Sequence, residues 1–317
     1  ATLEVDDYME RYANPAVDQL VNNIDSTGLS RMYLEVAKGV GTPDTVPNSN
    51  QTYTDAVTKL LEAAVPTPYI AMLSPDMQGQ IANANVALFN PAAQIAAVFR
   101  EGQFGAKALG IEKWFMDQNV PTHTVGALGG TPLVNGATQT GASIICDGAG
   151  ATAITNYVRR GDRVNFASVF DINPLSRAST GRLKDFVVTA NTGSIVTTGA
   201  VTIPISPSII IAGPFNTASA AAANNDAVTI FGHASSYASL TTPQGMVYNK
   251  DAFALVMADL ILPRGLWVAE RISNAKLGVS VRMLKDHDII NDVSPARLDT
   301  AHGWSAIRQE LACRVSS

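Results

Sequence analysis

In the stretch Val158-Arg159-Arg160-Gly161-Asp162-Arg163-Val164-Asn165-Phe166-Ala167-Ser168-Val169, the residues Val164, Phe166 and Ser168 recur at every second position. A period of two puts them on one face of a β-strand, and Gly161-Asp162 supplies the turn that opens it. Outward from there, Phe186-Val187-Val188-Thr189, Ile195-Val196-Thr197-Thr198 and Val201-Thr202-Ile203-Pro204-Ile205 follow at the close spacing of a barrel or sandwich. From about Val125 to about Gly213 the chain is rich in Gly, Thr, Ser and Val, with short apolar runs and frequent turns. That texture predicts an all-β module. Beyond it, Ala218–Ala223 reads as a low-complexity linker.

The flanks of the module read differently. Tyr8, Tyr12, Ala16, Leu20 and Ile24 recur at four-residue steps, joined by Val17 and Val21. One apolar face therefore runs along a long helix from about Val5 to about Val36, which Pro15 and Ser26-Thr27-Gly28 should bend or interrupt. Turn residues fill Gly39–Asn50, after which Thr52 or Thr54 can cap a helix carrying Val57, Leu60 and Leu61 and ended by Pro66. Pro68–Leu73 predicts a buried strand. Ser74-Pro75-Asp76 places a hydroxyl cap and a first-turn proline ahead of a short helix, and Asn90-Pro91 repeats the device before Ala92–Phe99. Ile111, Trp114 and Phe115 suggest a strand running toward Pro121. After the module, Ala252–Leu262 and Leu277–Leu284 read as strands, and Arg308–Val315 as a final one. Helices and strands around an inserted β module make the fold class α+β.

Bulk composition narrows the function. The 317 residues are roughly twice one domain, so two domains, or one with a large insertion, are expected. Charged residues make up 15%, against roughly 25% in an average soluble protein, and apolar residues 46%. Much of the surface is therefore neutral, as large permanent interfaces require, although a compact monomer rich in Ala, Gly and Thr fits equally. The net charge is −5, and Lys and Arg are scattered. The basic footprint of a dedicated nucleic-acid binder is missing. A container is still allowed, since a wall that gripped DNA tightly would hinder packaging and ejection. Cys146 and Cys313 form no CxxC pair and fit a reducing compartment. The longest apolar runs, Ala252–Met257 and Ile209–Ala212, fall far short of the roughly 20 residues of a membrane helix.

Residues able to carry chemistry do not converge. His123, His233, His287 and His302 have no zinc-type spacing. Asp286, His287, Asp288 and Asp292 are the densest polar group, but strand alternation splits neighbours between faces, so a solvated end is expected. Gly148-Ala149-Gly150 and Gly129-Gly130 lack the lysine and the strand-to-helix setting of a phosphate cradle, and Ser143 and Ser280 stand in no nucleophile elbow. No catalytic, cofactor-binding or metal-binding residue is predicted. Trp114, Trp267 and Trp304 suit cores or subunit contacts better than base stacking. With Tyr8, Tyr12, Leu20 and Ile24 they are the candidate assembly or core positions.

The order of long helix, small α/β region, inserted β module, return strands and terminal β segment resembles the major capsid (coat) proteins of short-tailed Salmonella phages. Val158–Val169 followed by Phe186–Thr189 carries the sharpest similarity, to the start of that family's insertion-domain barrel. Phe89-Asn90-Pro91, Arg100–Ile111 leading into Val120-Pro121-Thr122-His123-Thr124, and Glu310–Val315 support it. The resemblance implies the Hong-Kong-phage capsid fold of tailed phages and herpesviruses: a P-domain on a spine helix, an A-domain, an E-loop and an N-terminal arm. On that reading residues 1–38 are the P-domain spine, 39–124 mainly A-domain, 125–213 the inserted β-barrel, 214–265 the A-domain return and 266–317 the P-domain strands. The arm and E-loop have no counterpart upstream of residue 1. The implied function is self-assembly into pentamers and hexamers of an icosahedral shell, with a scaffolding protein and portal as partners, packaged double-stranded DNA held without sequence-specific binding, no cofactor and no membrane. The place implied is the virion, after assembly in the host cytoplasm. Rival readings are a cytoplasmic α+β hydrolase-like enzyme using His123 or the Asp286–Asp292 cluster, a nanocompartment shell, or a tail or decoration protein.

Overall fold

The computed structural model describes residues 14–84, 108–150, 153–193, 199–274 and 279–317. Tyr8, Tyr12, the helix expected over Ala92–Phe99 and the strand expected over Ile195–Thr198 lie outside the described residues. Few helices and many strands confirm a mixed α/β chain. It divides into two compact units, one holding the residues through Gly28 with Phe253–Ser305, the other Leu29–Ala252 with Ala306–Ser317.

The larger unit contains a mixed sheet and a barrel. In the sheet, the strand Ala312–Ser316 lies between Gly39–Val40, which it pairs in parallel, and Thr241–Asn249, which it pairs antiparallel. Thr241–Asn249 continues to Tyr69–Leu73, and that strand pairs in parallel with Lys113–Met116; Thr122–Thr124 joins the first half of Thr241–Asn249. One of these pairings, Gly39–Val40 with Ala312–Ser316, joins residues 275 positions apart, so the sheet closes only when the end of the chain returns. The helix Asn50–Glu62 buries Tyr53, Ala56, Val57 and Leu60. It starts before the expected Thr52 or Thr54 cap. Their neighbourhood explains why: the Thr54 hydroxyl donates to the Gln51 carbonyl at 2.9 Å and Thr58 to Thr54 at 2.8 Å, so these hydroxyls bond backward within the helix. Leu61 faces outward and is exposed. At the next helix, Pro75–Ala84, the Ser74 hydroxyl does accept the Met77 N–H, at 3.3 Å.

The barrel has six antiparallel strands in the order Val228–Ile230, Arg163–Phe166, Phe186–Val188, Val201–Ile209, Gly141–Asp147 and Leu133–Val134. Hydrogen bonds from Val134 to the Asp226 carbonyl (2.9 Å) and from Val228 to the Pro132 carbonyl (3.0 Å) join the two outer strands and close the ring, which removes both sheet edges. Alternation fills the interior: Val201, Ile203 and Ile205 are buried while Thr202 faces out. With Ile144, Cys146, Val164, Phe166, Phe186, Val188, Val228 and Ile230 they form one core. Two expectations need correction. The strand holding Val164 and Phe166 ends there, so Ser168 sits in a turn and its hydroxyl bonds the Asp226 carboxylate. The run Ala218–Ala223 is not a linker. Ala218 and Ala222 are buried in the barrel core and bridge to Asp171 and Gln139, because methyl side chains let the chain pass close against the wall. The module therefore continues past Gly213 through Phe231.

The helix Asn14–Met32 begins in the smaller unit with Pro15 in its first turn, where a missing N–H costs no helical bond. Gly28 does not interrupt it. A Cβ there would lie 2.4 Å from the indole of Trp304, whose Nε1 donates to the Ile24 carbonyl at 3.0 Å, so this glycine makes room for the tryptophan. The helix passes into a single 3₁₀ turn, Tyr33–Glu35. Val268–Asn274, Val279–Lys285 and Ala296–Asp299 form a three-stranded antiparallel sheet, and Phe253–Ala258 pairs with Ala301–Ala306.

Both cysteines are fully buried and unpaired. Burial pushes the Cys146 thiol up to about 12, helped by Asp147, and Cys313 up to about 11. Neither forms thiolate at neutral pH, so a thiol-reactive dye at pH 8 is expected to label neither in the native subunit and both in urea. Rapid native labelling would show that the barrel or the sheet is open at these positions.

Candidate functional site

The strand Arg163–Phe166 is buried on both faces. Val164 and Phe166 point into the barrel, so Arg163 and Asn165 face the opposite way, where they are covered by the mixed sheet of the same unit. Every polar group on that outer face consequently needs a partner, since an unmatched buried one costs about 1–3 kcal/mol. The result is a seam of charged residues between barrel and sheet.

At one end of the seam, Asn165 donates through Nδ2 to the Lys184 carbonyl and to Asp185 Oδ1, each at 2.7 Å. Asp185 Oδ2 accepts from the Gly39 backbone N–H at 3.2 Å and from Lys59, whose ammonium also donates to the Gly39 carbonyl at 2.8 Å. Burial alone would raise the Asp185 carboxyl. Lys59, Arg163 and the hydrogen bonds from Asn165 and Lys59 outweigh it and hold the group below the usual carboxylate range.

At the other end, Asp162 is fully buried. Its carboxylate accepts from the Arg159 N–H at 2.7 Å and the Gly126 N–H at 3.1 Å, and pairs with His123 Nε2 at 2.7 Å. His123 Nδ1 lies 3.3 Å from the Tyr33 hydroxyl. A neutral imidazole protonated on Nε2 satisfies both contacts, donating to Asp162 and accepting from Tyr33. Burial raises the Tyr33 hydroxyl, which keeps it a donor. Phe231 lies between the groups, its ring 6.0 Å from His123, 5.4 Å from the Arg163 guanidinium and 5.8 Å from that of Arg314.

Two glycines make the seam possible. A Cβ on Gly39 would lie 2.2 Å from Arg163 Nη1, so the arginine occupies the space a side chain would take. Gly161 has φ +96°, and a Cβ there would come within 3.1 Å of His123 and 2.6 Å of Leu34. Beside the seam opens a cleft of about 680 Å³ whose walls include Lys38, Glu62, Arg177, Phe215 and Glu310.

The structure brings together few of the residues singled out by sequence. Trp114 is buried edge-on against Tyr53, and Ile24 is buried; Leu20 is only half-buried. Trp304 packs on the helix that carries Ile24, whereas Trp267 is exposed with Lys285 above its ring. Asp286, His287, Asp288 and Asp292 lie in an exposed turn, Asp288 accepting from Asn291 and the Ile290 N–H. Among the described residues no three His, Cys, Asp or Glu side chains are placed to share a metal. Of the rival enzyme's candidates His123 is the buried one, 3% exposed and held between Asp162 and Tyr33. The pairings across the seam were not visible in sequence, because Lys59, Asp162, Asp185 and Arg314 come from four separate segments. The one local signal was Asp162-Arg163 embedded in a strand of core residues.

Because the folded Asp185 pKa is depressed, its contribution to stability is complete above the unfolded value of about 4 and is lost as pH falls through the folded value. Asp185→Asn is expected to remove this acid-side step from a stability–pH curve measured by urea unfolding, and to cost about 2–3 kcal/mol at pH 7. An unchanged curve would show that Asp185 is not paired in the folded subunit.

No curated protein shows significant similarity to the chain. A family does: the P22 coat protein family, gene protein 5, matches residues 2–313. The match covers the barrel, the mixed sheet and the smaller unit alike. Matched over nearly its whole length, the chain belongs to the P22 coat protein family and is a structural major capsid protein of a tailed phage.

Proposed function

We propose that the chain builds an icosahedral shell from pentamers and hexamers, in the Hong-Kong-phage capsid fold. In this reading residues 1–38 and 266–317 form the P-domain, and 39–124 with the part of the 214–265 return that follows Phe231 form mainly the A-domain. The insertion domain is 125–213, extended through Phe231 by the strand that completes the barrel. A scaffolding protein and a portal would guide assembly in the host cytoplasm, and double-stranded DNA would be packaged without sequence-specific contacts. The weakly acidic chain, at net charge −5, suits a wall that releases its contents.

The observation that carries the reading is the distribution of large apolar side chains left uncovered in a single chain. Ile290 is 92% exposed, and Ile289, Ile261, Leu175 and Phe215 are nearly as open. They lie in both units, as heterologous tiling on several sides requires. If each subunit hides a few thousand square ångströms, apolar burial at about 25 cal/mol/Å² gives tens of kcal/mol, well beyond ordering costs of order ten.

Charge inserted at these positions separates folding from assembly. Ile290→Asp and Phe215→Asp are expected to leave subunit stability within about 0.5 kcal/mol of the parent, since neither side chain is buried in the chain itself. Electron microscopy should nevertheless find few closed shells in either. Normal shell yields from both variants would contradict the assignment of these surfaces to subunit contacts.

A further inference from the structure

Arg314 is 1% exposed and Arg163 6%, yet Nε, Nη1 and Nη2 of Arg314 and Nε and Nη1 of Arg163 find no acceptor among the described residues. The two side chains lie on the same side of the sheet. Gly39 and Arg314 are register partners in a parallel pair, and the Arg163 guanidinium fills the place of the missing Gly39 side chain. Both guanidinium groups lean on the Phe231 ring, and that of Arg314 also on Tyr33. The nearby carboxylates are already engaged, Asp162 by His123 and two backbone N–H groups, Asp185 by Asn165, Lys59 and Gly39.

Charge leads to the same place. The seam holds three cations, Arg163, Arg314 and Lys59, against two carboxylates, Asp162 and Asp185. One positive charge is left over in a dry environment, where an uncompensated ion costs several kcal/mol. Burial, followed by the neighbouring Arg163, lowers Arg314 to about 10.

We propose that Arg163 and Arg314 form an internal binding site for one small monovalent anion, chloride under ordinary conditions. The site offers unpaired N–H donors from two buried arginines, with no carbonyl or carboxylate bonded to these nitrogens to repel an anion. A divalent oxyanion would exceed the single surplus charge. The ion would act as a structural pin between barrel and sheet, so the inference concerns the fold of the subunit and stands independently of the shell geometry proposed above.

The test is urea unfolding of the soluble subunit at fixed ionic strength, with sodium isethionate replaced stepwise by sodium chloride. Stability should rise and saturate, with the folded-to-unfolded ratio about 100-fold higher at a chloride concentration a hundred times the dissociation constant. Bromide should substitute and sulfate should not. Arg314→Met should unfold identically in chloride and isethionate. Should that variant fail to fold, equilibrium dialysis of the unaltered subunit against radiolabelled chloride decides: about one saturable site per native chain, absent in urea, supports the proposal. No saturable site, or a stability indifferent to which monovalent anion is present, overturns it and leaves internal water to satisfy the guanidinium groups.

Discussion

A β-strand with no wet face dictates much of this structure. Arg163–Phe166 supplies Val164 and Phe166 to a closed barrel, while its other face is pressed against a sheet whose strands come from distant parts of the chain. Arginine and asparagine on that second face cannot reach water. Asn165 is matched by Lys184 and Asp185 from the barrel, and Asp185 in turn by Lys59 from a helix and Gly39 from the sheet, while Arg163 rests on the Phe231 ring. Placement therefore depends on electrostatic matching, which tolerates far less displacement than apolar packing does. Replacing one partner leaves a buried charge exposed to a low dielectric, whereas replacing a matched pair together is far cheaper.

That arrangement suits a coat protein. A shell subunit is loaded at its rim by neighbours, and the apolar side chains proposed to meet them are exposed in the single chain. Rigidity has to come from inside. The ring of six strands has no free edge to recruit a stray strand, and the closing strand Ala312–Ser316 locks Gly39–Val40 to Thr241–Asn249. Contacts between residues so far apart in sequence form late and slowly, which favours a module such as the barrel that can bury its own core first.

Much of this was legible from residue order, and the limits have physical causes. Alternation at Val164 and Phe166 and at Val201, Ile203 and Ile205 located the β module, since a period of two survives any tertiary context. The strand Tyr69–Leu73 and the Ser74 cap were equally visible. The module's far boundary was not, because alanines that pack under a barrel wall look like those of a linker. The threonine caps failed for a related reason: a hydroxyl can bond to the preceding helical turn as well as to a helix end. The assembly positions drawn from sequence split between buried Trp114 and exposed Trp267, as periodicity identifies apolar faces without saying what covers them. The charged seam stayed hidden because charged residues in separate segments carry no mark of their eventual partners.

The most direct test of the account is a double-mutant cycle across the seam, using Lys59→Met, Asp185→Leu and the pair together, with stability read from urea unfolding of the soluble subunit. Each single change should cost about 3–5 kcal/mol by stranding the other charge, and the double variant should recover at least about 1 kcal/mol of the summed loss. Strictly additive costs would contradict the account, because the two groups would then be solvated independently and the barrel would not be held to the sheet by matched charges.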